Sequence, residues 1–194
     1  MMAAGRMPGE SQLNVLIVGA DLPPRQRERI QAQVQTALRA LPLWAFDLLR
    51  IRMAELGVRN LPLIIEPRAR ANGRAQVLSC GRIAGRPAVR LMPRLQGGAV
   101  DWGQDRRYLL AKAVAFMAAP PEETQGEFWS RWRQAVALDR LPDKAREAGE
   151  QWEDVRDLGL LLEMFAAFAI DPAHGRWAEF PAVRAFLESW RGSQ

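Results

Sequence analysis

The order of hydrophobic patterns along the chain predicts an α+β fold, with a small mixed sheet in the N-terminal half and a helical C-terminal half. Up to residue 104, short apolar runs bounded by Gly and Pro alternate with segments whose apolar residues have helical spacing. After residue 104 the apolar residues have only helical spacing. The length of 194 residues suits one domain. We therefore predict a single domain over residues 11–194, with an α/β part to residue 104 and a helical part from residue 105. Residues 1–10 are expected to form a disordered lead.

Four apolar runs in the N-terminal part have the length and the flanking residues of β-strands. They cover residues 12–18, 61–66, 75–79 and 88–92. Between the first two runs, apolar residues recur every fourth position from residue 30 to 38, which predicts a helix opened by two prolines. A second helix is predicted over residues 43–56. The Gly97-Gly98 pair places residues 95–105 in a loop.

The segment on which the rest of the fold depends is a helix predicted over residues 105–118. Its side chains are apolar on nearly every side, and a helix of this kind belongs in the interior of a domain. Lys112 is the one charged side chain in the apolar run that begins at Leu109. Because a buried ammonium group is costly unless it is paired, we expect Lys112 either to have a partner or to border a cleft.

Only helical spacing follows the Pro120-Pro121 pair. It predicts helices over residues 122–138, 152–170 and 178–190, and a polar connection over residues 141–149. Trp129 and Trp132 share one face of the first of these helices, since they are three residues apart. Core packing is the first interpretation of this pair. A surface for a partner is the second, because Trp is favoured in the hot spots of interfaces.

The composition is that of a soluble globular protein, with 48% hydrophobic and 25% charged residues. No apolar run reaches the roughly 20 residues that span a bilayer, so no membrane association is expected. The first ten residues lack the apolar core of a secretory signal. A single cysteine, Cys80, excludes an internal disulfide framework and fits a reducing compartment. We therefore expect a cytoplasmic protein.

The positive charge of the chain is unevenly distributed. The formal net charge is +5, yet residues 51–110 carry 11 basic and 4 acidic side chains, and all 11 basic ones are Arg. Arg binds phosphate well, which makes a basic protein associated with nucleic acid one candidate. The segment has no interleaved aromatic side chains on which bases stack, so nucleic acid is not the favoured partner.

Three segments of the chain carry a recognisable pattern. Residues 109–116 read Leu-Leu-Ala-Lys-Ala-Val-Ala-Phe, residues 162–172 read Leu-Glu-Met-Phe-Ala-Ala-Phe-Ala-Ile-Asp-Pro, and residues 180–187 read Phe-Pro-Ala-Val-Arg-Ala-Phe-Leu. Together they resemble helices of the gluzincin metallopeptidases, in the branch of anthrax lethal factor. In that family a His-Glu-x-x-His helix supplies two zinc ligands, and a glutamate on a later helix supplies the third. The resemblance implies a zincin-like fold.

The chain departs from that family at the residues that matter for catalysis. Ala111 and Ala115 stand at the two histidine positions, and Lys112 stands at the position of the catalytic glutamate. Of the expected set, only the third ligand, Glu163, is kept. Since a catalytic zinc needs three protein ligands, the resemblance implies a domain without zinc, without another cofactor and without catalytic residues. We expect the Lys112 ammonium to replace the lost cation and to pair with Glu163.

These observations predict a catalytically inactive metallopeptidase-like domain that acts as a protein- or peptide-binding or scaffold module. The strand at the edge of its cleft would accept an extended peptide by strand addition. One alternative is a hydrolase with an unrecognised site. A Cys-His or Ser-His pair would have to use His174, the only histidine, and nothing in the sequence brings Cys80 to it. The other alternative is the basic protein associated with nucleic acid.

Overall fold

The computed structural model of the chain describes residues 13–18, 22–68, 77–96, 99–143 and 157–192. It has the mixed α+β architecture that the sequence predicts, with a small sheet in the N-terminal half and helices after it. The lead predicted over residues 1–10 lies outside the described residues. No helix in the described ranges is both long and apolar enough to cross a membrane.

The sheet has four strands in the order β1-β2-β4-β3. The strands are β1 (Leu13–Ile17), β2 (Leu61–Ile65), β3 (Leu78–Ile83) and β4 (Arg86–Leu91). Strands β1, β2 and β4 are parallel, and β3 runs antiparallel to β4 at one edge. Side chains alternate between the two faces of a strand, so Leu63 and Ile65 share one face with Val89 and Leu91, and all four are fully buried.

Six α-helices occur among the described residues. They are α1 (Pro24–Arg39), α2 (Leu43–Glu55), α3 (Arg106–Ala118), α4 (Gly126–Leu138), α5 (Asp157–Ile170) and α6 (Pro181–Arg191). Helix α3 is the predicted central helix. It packs against α1, α2 and α5 as well as against β3 and β4. The carboxylate of Asp105 accepts the backbone N–H of Arg107 at 2.8 Å, which caps its N-terminus.

Two predictions about the strands need correction. The third strand was expected over residues 75–79, but β3 begins at Leu78 and continues to Ile83, and residues 75 and 76 lie outside the described residues. The hairpin between β3 and β4 turns at Ala84 and Gly85, whose φ angles are 49° and 76°. Two consecutive positive φ angles are those of a type I′ turn, which suits the twist of a hairpin. Because this turn is so short, β4 begins at Arg86, two residues earlier than predicted.

The loop expected over residues 95–105 is also incorrect in part. Strands β5 (Arg94–Gln96) and β6 (Ala99–Asp101) pair there as a small antiparallel ribbon. Residues 97 and 98 themselves lie outside the described residues, and the Gly-Gly composition alone did not distinguish a hairpin from an open loop.

The second interpretation of Trp129 and Trp132, a surface for a partner, is wrong. Their exposed fractions are 5% and 0%. The indole N–H of Trp129 donates to the Pro120 carbonyl at 2.9 Å, and that of Trp132 to the Asp157 carbonyl at 2.8 Å. Helix α4 packs its aromatic face against α6, where the Trp132 and Phe186 rings lie 5.2 Å apart. Core packing, the first interpretation, is what the fold contains.

Candidate functional site

The candidate site lies where helices α3 and α5 face each other in the core. Lys112 occupies the middle of α3 and Glu163 the middle of α5, which the sequence separates by 51 positions. Both helices are apolar on their other faces, so each brings one charged side chain into an otherwise hydrophobic contact. The exposed fractions of the two side chains are only 9% and 13%.

Lys112 and Glu163 form an ion pair, as the sequence analysis expects. The ammonium nitrogen of Lys112 donates to Oε1 of Glu163. The other carboxylate oxygen, Oε2, accepts the hydroxyl of Tyr108 at 2.8 Å, and the main-chain carbonyl of Glu163 lies 3.1 Å from the same hydroxyl. Both carboxylate oxygens therefore have a donor, which is the condition under which a buried carboxylate can stay charged.

Tyr108 is a member of the site that sequence reasoning missed. It is the only tyrosine in the chain, and it precedes Lys112 by one helical turn, so both lie on one face of α3. The Lys112 nitrogen lies 5.0 Å from the centroid of the Tyr108 ring, within the range of a cation–π contact. The i, i+4 spacing was visible in the sequence, but the partner of the hydroxyl was not.

Strand β3 brings Cys80 close to this cluster. Cys80 is paired in register with the buried Val89, so its side chain points to the face that the helices cover. Burial raises the pKa of the Cys80 thiol to about 12, and the charge of Lys112 offsets only part of that rise. The thiol is therefore protonated at neutral pH, and it is not an activated nucleophile.

The only histidine has a local structural role. Its Nδ1 accepts the backbone N–H of Arg176 at 3.1 Å, which caps the short 3-10 helix Gly175–Ala178 that follows α5. His174 is exposed, whereas Cys80 lies on the inner face of the sheet. The structure thus gives no support to a Cys-His catalytic pair.

The residues at the α3–α5 contact do not fit the zinc ion that gluzincins hold at the corresponding positions. Ala111 and Ala115 are fully buried and carry no donor atom, which leaves Glu163 as the single ligand. In the part of the chain that the structure describes, no three His, Cys, Asp or Glu residues are arranged to hold a metal. We therefore derive no chemistry through a metal.

The outer edge of β3 borders this region. Among the described residues the sheet ends at β3, and the two-residue hairpin sets which backbone groups of β3 face outward. Ile83 and Arg86 flank the turn as a hydrogen-bonded pair, so the next pair, Arg82 and Pro87, is not hydrogen-bonded. Pro87 has no N–H to offer, which agrees with this alternation. The N–H and C=O of Arg82 and Cys80 consequently point away from β4, toward the free edge.

A groove of about 630 Å³ adjoins this edge. Arg82 and Pro87 line it on the side of the hairpin, and Phe116 lines it on α3, one turn beyond Lys112. Arg82 also lies 3.9 Å from Glu123, across the mouth of the groove. The groove is therefore bordered by the β3–β4 hairpin on one side and by the Phe116 end of α3 on the other.

Comparison with protein-family models, with curated proteins and with solved structures finds no match to the chain. The likeness to gluzincins rests on the motif residues of the sequence alone.

Proposed function

We propose that the chain is a catalytically inactive, zincin-like domain that acts in the cytoplasm by binding extended peptides. The observation that carries the proposal is the ion pair between Lys112 and Glu163. The resemblance assigns these two residues to positions beside the metal of a gluzincin, on two helices that must face each other. They do meet, across the contact between α3 and α5.

The charge of the pair supports the same proposal. In a gluzincin the zinc cation neutralises the glutamate of the later helix. Here Lys112 supplies the positive charge, while both histidine positions are small, buried alanines. A cation that satisfies the one remaining ligand position supports the proposal of a gluzincin-like architecture without a metal.

The free edge of β3 is the element that would bind the peptide. Strand addition needs a row of outward backbone N–H and C=O groups beside a surface that accepts alternate side chains. Arg82 and Cys80 offer the backbone groups, and the groove beyond Phe116 offers the surface. The peptide would lie over α3 in front of the ion pair.

A selection from a display library of random dodecamer peptides tests this binding mode. We expect enriched peptides to bind the wild-type chain and the Arg82→Ala variant, and to lose most of their affinity for Arg82→Pro. Proline removes the outward N–H without breaking the ladder to β4, and alanine controls for loss of the side chain. Peptides that bind Arg82→Pro as well as wild type, or no enrichment at all, would contradict the proposal.

A second experiment tests the zincin-like architecture by restoring the motif. The triple variant A111H/K112E/A115H, purified with zinc present, should hold about one zinc per chain with Glu163 as third ligand. The same variant with E163Q is the matched control and should bind zinc far more weakly. The wild-type chain should hold no stoichiometric zinc. A folded triple variant that binds no more zinc than wild type would show that the helices do not have gluzincin geometry.

A further inference from the structure

The second face of the four-stranded sheet is not covered by any of the described helices. Buried and half-buried residues alternate along β2, and Arg90 is paired in register with the half-buried Ile64, so Ile64 and Arg90 point away from the helical layer. A small domain usually buries its sheet between layers on one or both faces. As far as the described residues extend, this face can therefore accept a third layer.

Exposed apolar side chains concentrate on this face. Six large hydrophobic side chains are exposed among the described residues, and three of them lie here: Leu16 at 45%, Val18 at 46% and Ile83 at 45%. Leu16 is beside Ile64 in register, and Ile64 is beside Arg90. One row across the sheet thus passes from aliphatic to basic side chains.

The charge on this face is predominantly positive. Arg86 and Arg90 lie on β4, and Arg68 follows β2. Glu66 contacts two of these arginines, at 3.3 Å from Arg90 and 3.7 Å from Arg68. Arg86 has no ion-pair partner among the described residues and is exposed. These arginines belong to the segment that concentrates the basic excess of the chain.

Small residues lie beside the arginines, with Ala88 between Arg86 and Arg90 on β4 and Gly81 between Ser79 and Ile83 on β3. Gly81 and Ala88 are paired directly across β3 and β4, and Ser79 is paired with Arg90. A Cβ placed on Gly81 would meet no atom within 4 Å, so the space above Gly81 is open, whereas its neighbour Ala88 is buried. A rigid element can approach the backbone of β3 closely at Gly81 without a clash.

We propose that this face binds an acidic amphipathic helix of a partner protein. The apolar stripe of such a helix would cover Leu16, Ile64 and Ile83, and its flanking carboxylates would pair with Arg86 and Arg90. A helix is the element that completes a layered α/β arrangement on an open sheet face. Single-stranded nucleic acid is disfavoured, because no aromatic side chain on the described part of this face offers a stacking platform.

Fluorescence anisotropy with synthetic labelled helices tests the proposal on the full chain. The probe is a helix of about five turns with Leu on one face and Glu on the other. The first control has the same composition in scrambled order, and the second has Lys in place of Glu. We expect the acidic amphipathic helix to bind at least tenfold more tightly than either control, because charge complementarity and the apolar stripe both contribute.

Two variants locate the binding surface. The double variant Arg86→Glu/Arg90→Glu should weaken binding of the acidic helix by about tenfold or more. Arg184→Glu is the matched control, because it also breaks an exposed ion pair, with Glu188 at 2.8 Å. Since Arg184 lies on α6 and not on the sheet, this variant should change the affinity by no more than about twofold. Leu16→Ser, which keeps the charge, should weaken binding by about fivefold through the loss of apolar contact.

Equal binding of the scrambled or basic helix would overturn the proposal, and so would an unchanged affinity in the Arg86→Glu/Arg90→Glu variant. Tighter binding of a single-stranded oligonucleotide than of the acidic helix would assign the face to nucleic acid instead. Arg82→Pro should leave the affinity for the helix unchanged, because the edge of β3 is a different surface. The inference is thus independent of the proposed peptide site, and either can fail alone.

Discussion

Removal of the Lys112 ammonium is the sharpest test of the energetics of the site. In the Lys112→Met variant the chain keeps a side chain of similar length, and Glu163 loses its cation while it stays 13% exposed. Leaving one partner of a buried ion pair uncompensated costs about 3–5 kcal/mol. We expect about 3 kcal/mol, at the lower end, because Tyr108 still donates to Oε2 of Glu163 at 2.8 Å.

Replacement of both partners should be far less damaging than replacement of either one. In the Lys112→Met/Glu163→Leu variant no charge remains in the contact between α3 and α5. The Tyr108 hydroxyl keeps an acceptor, since the main-chain carbonyl of residue 163 lies 3.1 Å away. Apolar replacements of buried ion pairs are often neutral or stabilising, so we expect the double variant to lose about 1 kcal/mol or less.

Urea unfolding followed by tryptophan fluorescence measures the free energy of unfolding of the wild type, the two single variants and the double variant. The four values form a double-mutant cycle, and we expect a large non-additive term. Additive losses, or a loss below about 0.5 kcal/mol in Lys112→Met, would refute the description of this contact as a dry, mutually dependent pair.

Three further outcomes follow from the fold. The pKa of Cys80 is about 12 in the folded chain, against an ordinary value of 9.0, so above pH 9 the folded state keeps a proton that the unfolded state releases. The free energy of unfolding should therefore fall by up to about 1.4 kcal/mol per pH unit above pH 9. Cys80→Ala should remove this part of the pH dependence. Ala84→Gly should raise the free energy of unfolding by up to about 1 kcal/mol, since its φ of 49° is strained for alanine, and an unchanged urea midpoint would contradict this. Asp139 is 4% exposed, and its carboxylate accepts the backbone N–H of Val183 at 2.7 Å at the start of α6. Asp139→Ala should therefore lower the free energy of unfolding, measured in urea, by about 1–3 kcal/mol. Asp139→Asn should recover part of that loss.

The sequence by itself determined the features that depend on local periodicity and on chemical type. The all-round apolar character of the central segment predicted a buried helix, and α3 is buried on almost every side. The apolar run around Lys112 predicted that its ammonium would either be paired or border a cleft. The choice of Glu163 as the partner came from the resemblance to gluzincins, which places the two residues on facing helices.

Only the tertiary structure decided the features that depend on contacts distant in the sequence. The helical spacing of Trp129 and Trp132 does not distinguish a core pair from a surface pair. The packing of α4 against α6 decided that both are buried. The hydroxyl of Tyr108 found its acceptor 55 positions away. The position of β3 at the sheet edge, and the face of the sheet left without helices, were set by the strand order. Strand order is a matter of non-local hydrogen bonding, which no local pattern of residues encodes.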